Sequence, residues 1–147
     1  MTAPVFATPE DAEAAFYRAF ENTDLDAMMD VWSPDDPGVV CIHPGGARLR
    51  GPEAIREAWK QIFEGGMPLT FRLSDYSIVG RPGMRIHNVR EEIRLRGKDA
   101  IAAVVLATNV FIERPGIGWR LWMHHGSNPV AGPDTAEDDD DSRPTLH

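Results

Sequence analysis

His43 has the clearest capacity for chemistry in this chain. It ends a short apolar run and is followed by Pro44–Gly46. A histidine has an ordinary pKa near neutrality, so its imidazole can take up or release a proton at physiological pH. Held at the end of a strand, His43 is a candidate general base. The alternative is that His43 only makes hydrogen bonds at the rim of a pocket.

Glu91 lies in the middle of an alternating segment, on its apolar side. A carboxylate that points into apolar surroundings must be paired, hydrated or protonated. We therefore predict that Glu91 orients His43 or His125, or acts itself as an acid or base with a raised pKa. An ion pair with Arg72 is an equal alternative.

His124 and His125 are neighbours on one predicted strand, so their side chains should point to opposite faces of the sheet. We expect His125 to face the interior as a catalytic residue and His124 to face outward. Asn109 shares its predicted face with small and apolar side chains, which suggests a hydrogen-bond donor to a ligand. A purely structural role for the Asn109 amide is an equal alternative. For His124 and His125 the alternative is that they are buried residues that only make hydrogen bonds.

A zinc site assembled from His43, His87, His125 and Glu91 is conceivable. However, the sequence has one cysteine and no helical His-x-x-x-His pair, so we predict no metal ion. It also has no glycine-rich phosphate loop and no dinucleotide fingerprint, so we expect no cofactor.

The elements that must position these residues follow from the hydrophobic pattern. Helices are predicted after the caps Thr8 and Asp24, the second over Leu25–Trp32, and a third after Gly51. Strands are predicted at Val39–His43, Leu69–Val79, Met84–Arg96, Ala100–Glu113 and Trp119–Ser127. Three aromatic residues on the helices, Trp32, Trp59 and Phe63, are candidate walls of a substrate pocket, although ordinary core packing explains them equally well.

Composition limits the function further. The chain has 147 residues and a net charge of −8. An acidic chain with no basic stripe is a poor nucleic-acid binder. Its N-terminus has no basic and apolar leader, and its longest apolar run is too short to span a bilayer, so we expect no membrane association and a cytoplasmic location. Residues 1–133 are predicted to form one domain, and the acidic segment 134–147 a disordered tail.

The segment Ala100–Ile112 is apolar on both of its faces. Such a strand is normally covered on both sides, and the helices can cover one side only. We therefore expect a homodimer that forms through the outer face of the sheet.

Four short sequence motifs occur in a fixed order along the chain: Asn22-Thr23-Asp24-Leu25-Asp26, His43-Pro44-Gly45-Gly46, Asn109-Val110-Phe111 and His124-His125-Gly126-Ser127. In this order the chain resembles the nuclear transport factor two-like superfamily, in its SnoaL-like, ketosteroid-isomerase-related branch. The resemblance implies an α+β cone: a curved, mostly antiparallel sheet wrapped around three N-terminal helices, with an interior pocket.

The same resemblance places His43 where ketosteroid isomerases keep an aspartate base. It places Phe16 where they keep a tyrosine, while Tyr17 is about 100° round the helix. The resemblance therefore implies a small-molecule-binding protein and a possible cofactor-free isomerase, dehydratase or cyclase with His43 as base. The alternative is a non-catalytic dimeric ligand-binding or assembly module of the same fold.

Overall fold

The computed structural model describes residues 3–130, so the predicted tail lies outside the described residues. The elements follow the predicted order. The helices are α1 (Pro9–Asn22), α2 (Leu25–Val31) and α3 (Pro52–Gly65). The strands are β1 (Val40–Ile42), β2 (Leu49–Arg50), β3 (Leu69–Arg81), β4 (Met84–Leu95), β5 (Ala103–Arg114) and β6 (Gly118–Ser127). None of the helices in this part of the chain has the length and apolarity needed to cross a membrane.

Local chemistry fixes where the first two helices begin. The Thr8 hydroxyl accepts a hydrogen bond from the Asp11 backbone N–H at 3.0 Å, and Pro9 occupies the first turn of α1. The Asp24 carboxylate accepts one from the Ala27 N–H, also at 3.0 Å, at the start of α2. Both caps satisfy backbone donors that a helix leaves without partners. The predicted caps are confirmed.

The six strands form one curved sheet in the order β2-β1-β6-β5-β4-β3. All neighbouring pairs are antiparallel except β1 and β6, so the sheet is mixed. The predicted α+β architecture is confirmed. The two-residue strand β2 was not predicted, because two residues carry no readable alternation.

Helix α1 lies against the inner face of the sheet and is buried over an unusually broad stripe. Its buried residues include Ala12, Glu13, Phe16, Tyr17 and Ala19. A helix on a flat layer buries a narrower stripe, whereas a helix with a curved sheet around it is covered from two directions. The stripe is consequently wide enough to bury two adjacent residues, Phe16 and Tyr17.

A bulge in β6 changes which residues face the core. Phe111 pairs with Leu121, but Val110 pairs with Met123, so Trp122 is an extra residue without a partner on β5. One extra residue reverses the alternation beyond it. Leu121 points inward before the bulge, and beyond it His124 becomes the inward residue.

This bulge overturns the predicted orientation of the two histidines. His124 is 2 % exposed and His125 is exposed. The prediction that His125 faces the interior is wrong, because it assumed an unbroken alternation along the strand. Thr108, which pairs with His125, likewise lies on the outer side.

The outer face of the sheet is only partly covered in this single chain. Along β5 the inward residues are buried, while the outward Val104, Leu106 and Val110 are half-buried. The predicted strand was too long at its start, since residues 100–102 lie outside β5. On β4 the outward face is polar as predicted, but Arg90 and Glu92 are buried there because arginine side chains pack over Glu92.

Two glycines allow a test of how the N-terminal segment is attached. Gly118 has φ +78° and forms a parallel bridge with Phe6, and a Cβ on Gly118 would lie 2.1 Å from the Phe6 carbonyl oxygen. Gly116 has φ +80° and open space at the same position. Gly116→Ala should therefore cost about 1 kcal/mol of backbone strain alone. Gly118→Ala should cost about 1–3 kcal/mol more than that, because its Cβ would overlap the Phe6 carbonyl oxygen.

Urea unfolding of both variants measures this difference. Equal losses of unfolding free energy would show that the Phe6 contact does not hold the N-terminal segment in place.

Candidate functional site

A buried amide, that of Asn109 on β5, joins the polar groups of the core. Asn109 is 1 % exposed. Its Nδ2 donates hydrogen bonds to Glu13 Oε2 and to the Tyr17 hydroxyl oxygen, each at 3.1 Å. Its Oδ1 lies 2.6 Å from His124 Nδ1. Since a carboxylate only accepts, Glu13 fixes which end of the amide is NH₂, and Oδ1 is left to accept from His124.

Tyr17 and Glu91 form the first branch of this network. The Tyr17 hydroxyl donates to Glu91 Oε2 at 2.6 Å, and both side chains are buried. Burial raises the pKa of Glu91 to about 7, opposed by the hydrogen bond from Tyr17 and assisted by the negative charge of Glu13. Burial and the neighbouring Glu91 raise the pKa of Tyr17 well above its usual value. At neutral pH the protonated and ionised forms of Glu91 are therefore both populated, while Tyr17 stays a phenol.

Glu13 and His87 form the second branch. His87 Nδ1 lies 3.1 Å from Glu13 Oε1 and donates to it, because the carboxylate can only accept. The other ring nitrogen, Nε2, is buried and has no hydrogen-bond partner. The Glu10 carboxylate oxygen lies 3.5 Å from it without forming a hydrogen bond, and the Tyr76 ring stands edge-on to the imidazole with centroids 6.2 Å apart.

Both branches reach an open groove between α1 and strands β3 and β4. Its volume is about 660 Å³, within the range typical of small-molecule sites. The lining includes three acidic, three aromatic and two other polar residues: Glu10, Glu13, Glu21, Tyr17, Phe71, Tyr76, Arg18 and His87. Tyr76 belongs to a bulge in β3, where the register shifts between Ser74 and Ser77 and Asp75 has φ +53°. Bulges of this kind commonly re-aim a side chain next to a site.

His124 is held neutral beneath the groove residues. Burial, together with smaller contributions from the neighbouring His43 and His125, lowers the pKa of His124 to about 3. A neutral imidazole carries one proton, and Asn109 Oδ1 requires that proton on Nδ1. His124 therefore orients Asn109, and it is too weak a base to serve as the proton acceptor itself.

His43 lies apart from Glu91. It is half-buried, its Nε2 is 3.6 Å from Cys41 Sγ, and its ring is edge-on to Trp59 at 4.7 Å between centroids. Burial lowers the pKa of His43 and raises that of the Cys41 thiol to about 12. The His43 side chain is absent from the groove lining, and its ring centroid lies 6.2 Å from that of His124.

The structure gives Glu91 a partner that the sequence analysis did not foresee. Glu91 points inward as predicted, but it bonds to Tyr17 and not to His43, His125 or Arg72. Arg72 instead pairs with Glu92 on the outer face. Phe16 stands where the resemblance places a tyrosine, and Tyr17 lies beside it on the broad buried stripe and brings a hydroxyl into the core.

The predicted aromatic walls lie elsewhere. Trp32 and Trp59 are buried in the hydrophobic core, Phe63 packs against that core, and none of the three lines the groove. Trp59 packs edge-on against Phe20, and Phe63 packs at a tilt against both Phe20 and Trp59. The core interpretation is the one that matches their positions. Within residues 3–130, no cluster of three or more His, Cys, Asp or Glu side chains is arranged to hold a metal ion.

Glu13 and Tyr17 were not singled out from the sequence. Glu13 suits the positive end of the α1 dipole, but it also sits between Ala12 and Phe16 on the apolar stripe of the helix. That position was the available signal, since a carboxylate within an apolar stripe needs a partner. The spacing of four residues between Glu13 and Tyr17 places both on one side of the helix.

Comparison with known proteins agrees with this fold. Residues 10–131 match the family model of the SnoaL-like domain, so the chain belongs to that family. A structure from Thiobacillus denitrificans, proposed to be a calcium/calmodulin-dependent protein kinase type II association domain, is 40 % identical with a TM-score of 0.76, covering 86 % of this chain and 99 % of that one.

A protein of the NTF2-like family from Streptomyces avermitilis, proposed to be a dehydratase, is 31 % identical with a TM-score of 0.72, covering 82 % and 92 % of the two chains. A curated dihydroorotase from Clostridioides difficile (strain 630) is 28 % identical over 118 residues, which are 80 % of this chain. The chain spans 27 % of the length of that enzyme.

Glu91 should make the protein less stable as the pH rises. Its pKa of about 7 in the folded protein exceeds the ordinary glutamate value of 4.5, so folding favours the protonated form. The stabilisation is complete below pH 4.5 and is lost as the pH rises through 7. Between pH 4.5 and 8 the wild type should lose on the order of 3 kcal/mol relative to Glu91→Gln, which stays neutral.

Urea unfolding of both proteins across this range measures the difference. Glu64→Gln, which changes an exposed carboxylate on α3, is the control and should follow the wild type. Parallel pH profiles for the wild type and Glu91→Gln would show that Glu91 is ionised in the folded protein at all of these pH values.

Proposed function

We propose that this protein is a cofactor-free acid–base enzyme that acts on a small carbonyl compound bound in the groove between α1 and strands β3 and β4. The observation that carries the proposal is His87 Nε2, a buried ring nitrogen without a hydrogen-bond partner on a residue that lines the groove. Glu13 holds the opposite ring nitrogen, so Nε2 carries the lone pair in the neutral ring. A carboxylate that orients a histidine in this way is the usual arrangement of a general base.

The second branch supplies the acid. In the proposed reaction, His87 Nε2 takes a proton from the carbon next to the substrate carbonyl. The Tyr17 hydroxyl gives its proton to the carbonyl oxygen, and protonated Glu91 returns one to Tyr17. In a substrate with a C=C bond next to that carbon, the product is a dienol. His87 returns its proton to the far carbon of the dienol, the enol O–H returns its proton to Tyr17, and Tyr17 returns one to Glu91. This restores the carbonyl and both catalytic groups and completes an isomerisation. Asn109 fixes the positions of the two branches relative to each other, because its amide NH₂ group donates hydrogen bonds to both Glu13 and Tyr17.

His43, the base suggested by the sequence, is less well placed for this chemistry. Within residues 3–130 it makes no hydrogen bond to Glu91 or Asn109, and it does not line the groove. Burial lowers the pKa of His43 and so favours its neutral form. Within residues 3–130, no carboxylate is hydrogen bonded to its ring. The similarity to a protein proposed to be a dehydratase supports acid–base chemistry in general, without distinguishing His43 from His87.

Proton abstraction can be tested without the natural substrate by using 5-nitrobenzisoxazole. A base removes its ring C–H proton, the N–O bond breaks, and a coloured cyanophenolate forms. His87→Gln should lower kcat/KM for this probe by about 100-fold, the usual contribution of a general base. His125→Gln, an exposed histidine of the same sheet, should not change it.

His43→Gln separates the two candidate bases. If that variant loses the activity while His87→Gln keeps it, the base is His43 and the proposed dyad is wrong. If the wild type is no faster than free imidazole at equal concentration, the catalytic proposal fails as a whole.

A second role, as a dimeric assembly module, is favoured by a different surface. The outward β5 residues Val104, Leu106 and Val110 are half-buried in a single chain, and exposed apolar patches commonly mark interfaces. The similarity to a protein proposed to be a kinase association domain agrees with such a role. The two roles are compatible, since the groove and the outer face lie on opposite sides of the sheet.

We expect a homodimer that the outer face holds together. Leu106→Glu places a charge in the middle of this face and should shift the mass measured by light scattering from dimer to monomer. Ile78→Glu makes the same apolar-to-charged change at an exposed position on edge strand β3, and it should leave the dimer intact. A wild-type monomer at micromolar concentration would exclude this interface.

A further inference from the structure

We infer that the acidic segment 134–141 of this chain docks on a cluster of arginines on the outer face of the sheet. This arginine cluster consists of Arg72 on β3 and of Arg90 and Arg94 on β4. It lies on the side of the sheet away from the groove, so the inference goes beyond the proposed function. It is carried by the excess charge of the cluster, by its burial, and by the place where the described part of the chain ends.

The three arginines surround a single carboxylate, that of Glu92. Arg72 Nη1 and Arg94 Nη1 lie 3.2 Å and 3.3 Å from its Oε1. Arg90 bonds to Oε2, which also accepts from the Ser74 hydroxyl at 3.2 Å. Three cations around one anion leave an excess of positive charge. Each guanidinium has several N–H donors, so the two oxygens of one carboxylate cannot satisfy them all, and further acceptors are required.

Part of this cluster is deeply buried on a face that the helices do not cover. Arg90 is 6 % exposed and Glu92 is 0 % exposed. The helices pack on the opposite face of β4, where Tyr17 meets Glu91. Excess positive charge at this depth is poorly screened by water and attracts anions strongly. The Arg72 side chain is 62 % exposed, so the cluster can be reached from outside the sheet.

The described part of the chain ends close to the cluster. Ser127, the last residue of β6, pairs with Leu106, and Leu106 pairs with Arg90 in the same row of the sheet. Two strand spacings, about 10 Å, therefore separate the end of β6 from Arg90. Residues 128–133 span up to about 20 Å when extended. Asp134, the first carboxylate of the segment, is consequently within reach of the cluster.

The path to the cluster leads past the start of β5. Strand β6 is antiparallel to β5, so the chain beyond Ser127 runs toward Ala103, the first residue of β5. Ala103 pairs with Ile93, the neighbour of Arg94 on β4. The segment can therefore reach Arg94 without covering Leu106, which the proposed dimer uses.

The segment supplies the acceptors that the cluster requires. It contains six carboxylates and no cation: Asp134, Glu137, Asp138, Asp139, Asp140 and Asp141. Ionised carboxylates only accept hydrogen bonds, and their shape suits guanidinium donors. Because the segment belongs to the same chain, its effective concentration at the cluster is on the order of millimolar. This favours the chain's own segment over the segment of a second copy.

Paramagnetic relaxation enhancement tests the docking in the full chain. A nitroxide is attached to Ser142→Cys, next to the segment. Cys41 is buried, and burial raises the pKa of its thiol to about 12, so it stays unlabelled. At low salt we expect the amides of Arg72 and Arg90 to be broadened several-fold more than that of Arg81, at the far end of β3. This contrast should disappear at 1 M salt, where the screening length is about 3 Å.

A charge-matched pair of variants assigns the contrast to the segment. Replacing all four of Asp138–Asp141 by Asn removes four charges with little change of shape, and it should abolish the excess broadening. The control removes four charges from exposed positions on the helices, with Asp26→Asn, Asp30→Asn, Glu57→Gln and Glu64→Gln, and it should preserve the excess broadening.

Arg72→Gln tests the other side of the contact at an exposed position that should not impair folding. It should lower the excess broadening at Arg90 roughly by half, because it removes one cation of the cluster. Arg81→Gln removes an equally exposed arginine from the far end of the same strand and should leave the broadening unchanged.

Equal broadening at the two ends of β3 would overturn the inference, and so would a contrast that survives 1 M salt or the loss of the four carboxylates. A mixed sample gives a further criterion, in which the chain observed by NMR carries no nitroxide and the nitroxide-labelled chain is invisible. Preferential broadening of Arg72 in that sample would place the segment on a second copy and overturn docking within one chain. These measurements involve neither turnover nor the groove, so their outcome is separate from the catalytic test.

Discussion

The burial of ionisable groups against α1 is the constraint on which the rest of this structure depends. Glu13 and Glu91 both lie inside the curved sheet, where an unpaired carboxylate would be costly. The chain meets this cost in two ways. Glu13 accepts hydrogen bonds from Asn109 and His87, and Glu91 accepts one from Tyr17 while its pKa rises to about 7.

Asn109 makes this arrangement cooperative. Its amide has a donor end and an acceptor end, and Glu13 and Tyr17 occupy one end while His124 occupies the other. Rotating the amide would place its oxygen against the Glu13 carboxylate and its NH₂ against the His124 N–H, so only one orientation satisfies all partners. The positions of both carboxylates, and hence the polar side of the groove, are therefore set together.

The shape of the sheet decides where this chemistry can be reached. Two bulges interrupt it, one in β3 around Asp75 and one in β6 at Trp122. The first carries Tyr76 to the edge of the groove beside His87, and the second turns His124 into the core. Local irregularities in the strands thus select which side chains face the site and which face solvent or another chain.

The features of this protein that depend on local chemistry can be predicted from the linear sequence. The caps at Thr8 and Asp24, the alternation that turns Glu91 inward, and the order of helices and strands all follow from neighbouring residues. These features depend on contacts a few residues apart, so a linear pattern is enough to predict them. The resemblance to the SnoaL-like family added the cone-shaped architecture.

The composition of the candidate site depends on contacts between residues that are far apart in sequence. The partner of Glu91 is Tyr17, 74 residues away in sequence, and no local pattern encodes that pairing. The inward histidine is His124 because one extra residue at Trp122 reverses the alternation, a change invisible in the letters themselves. The curved sheet covers α1 widely enough to bury both Phe16 and Tyr17. The phenol of the candidate site therefore comes from Tyr17, which helical spacing alone places about 100° away from Phe16.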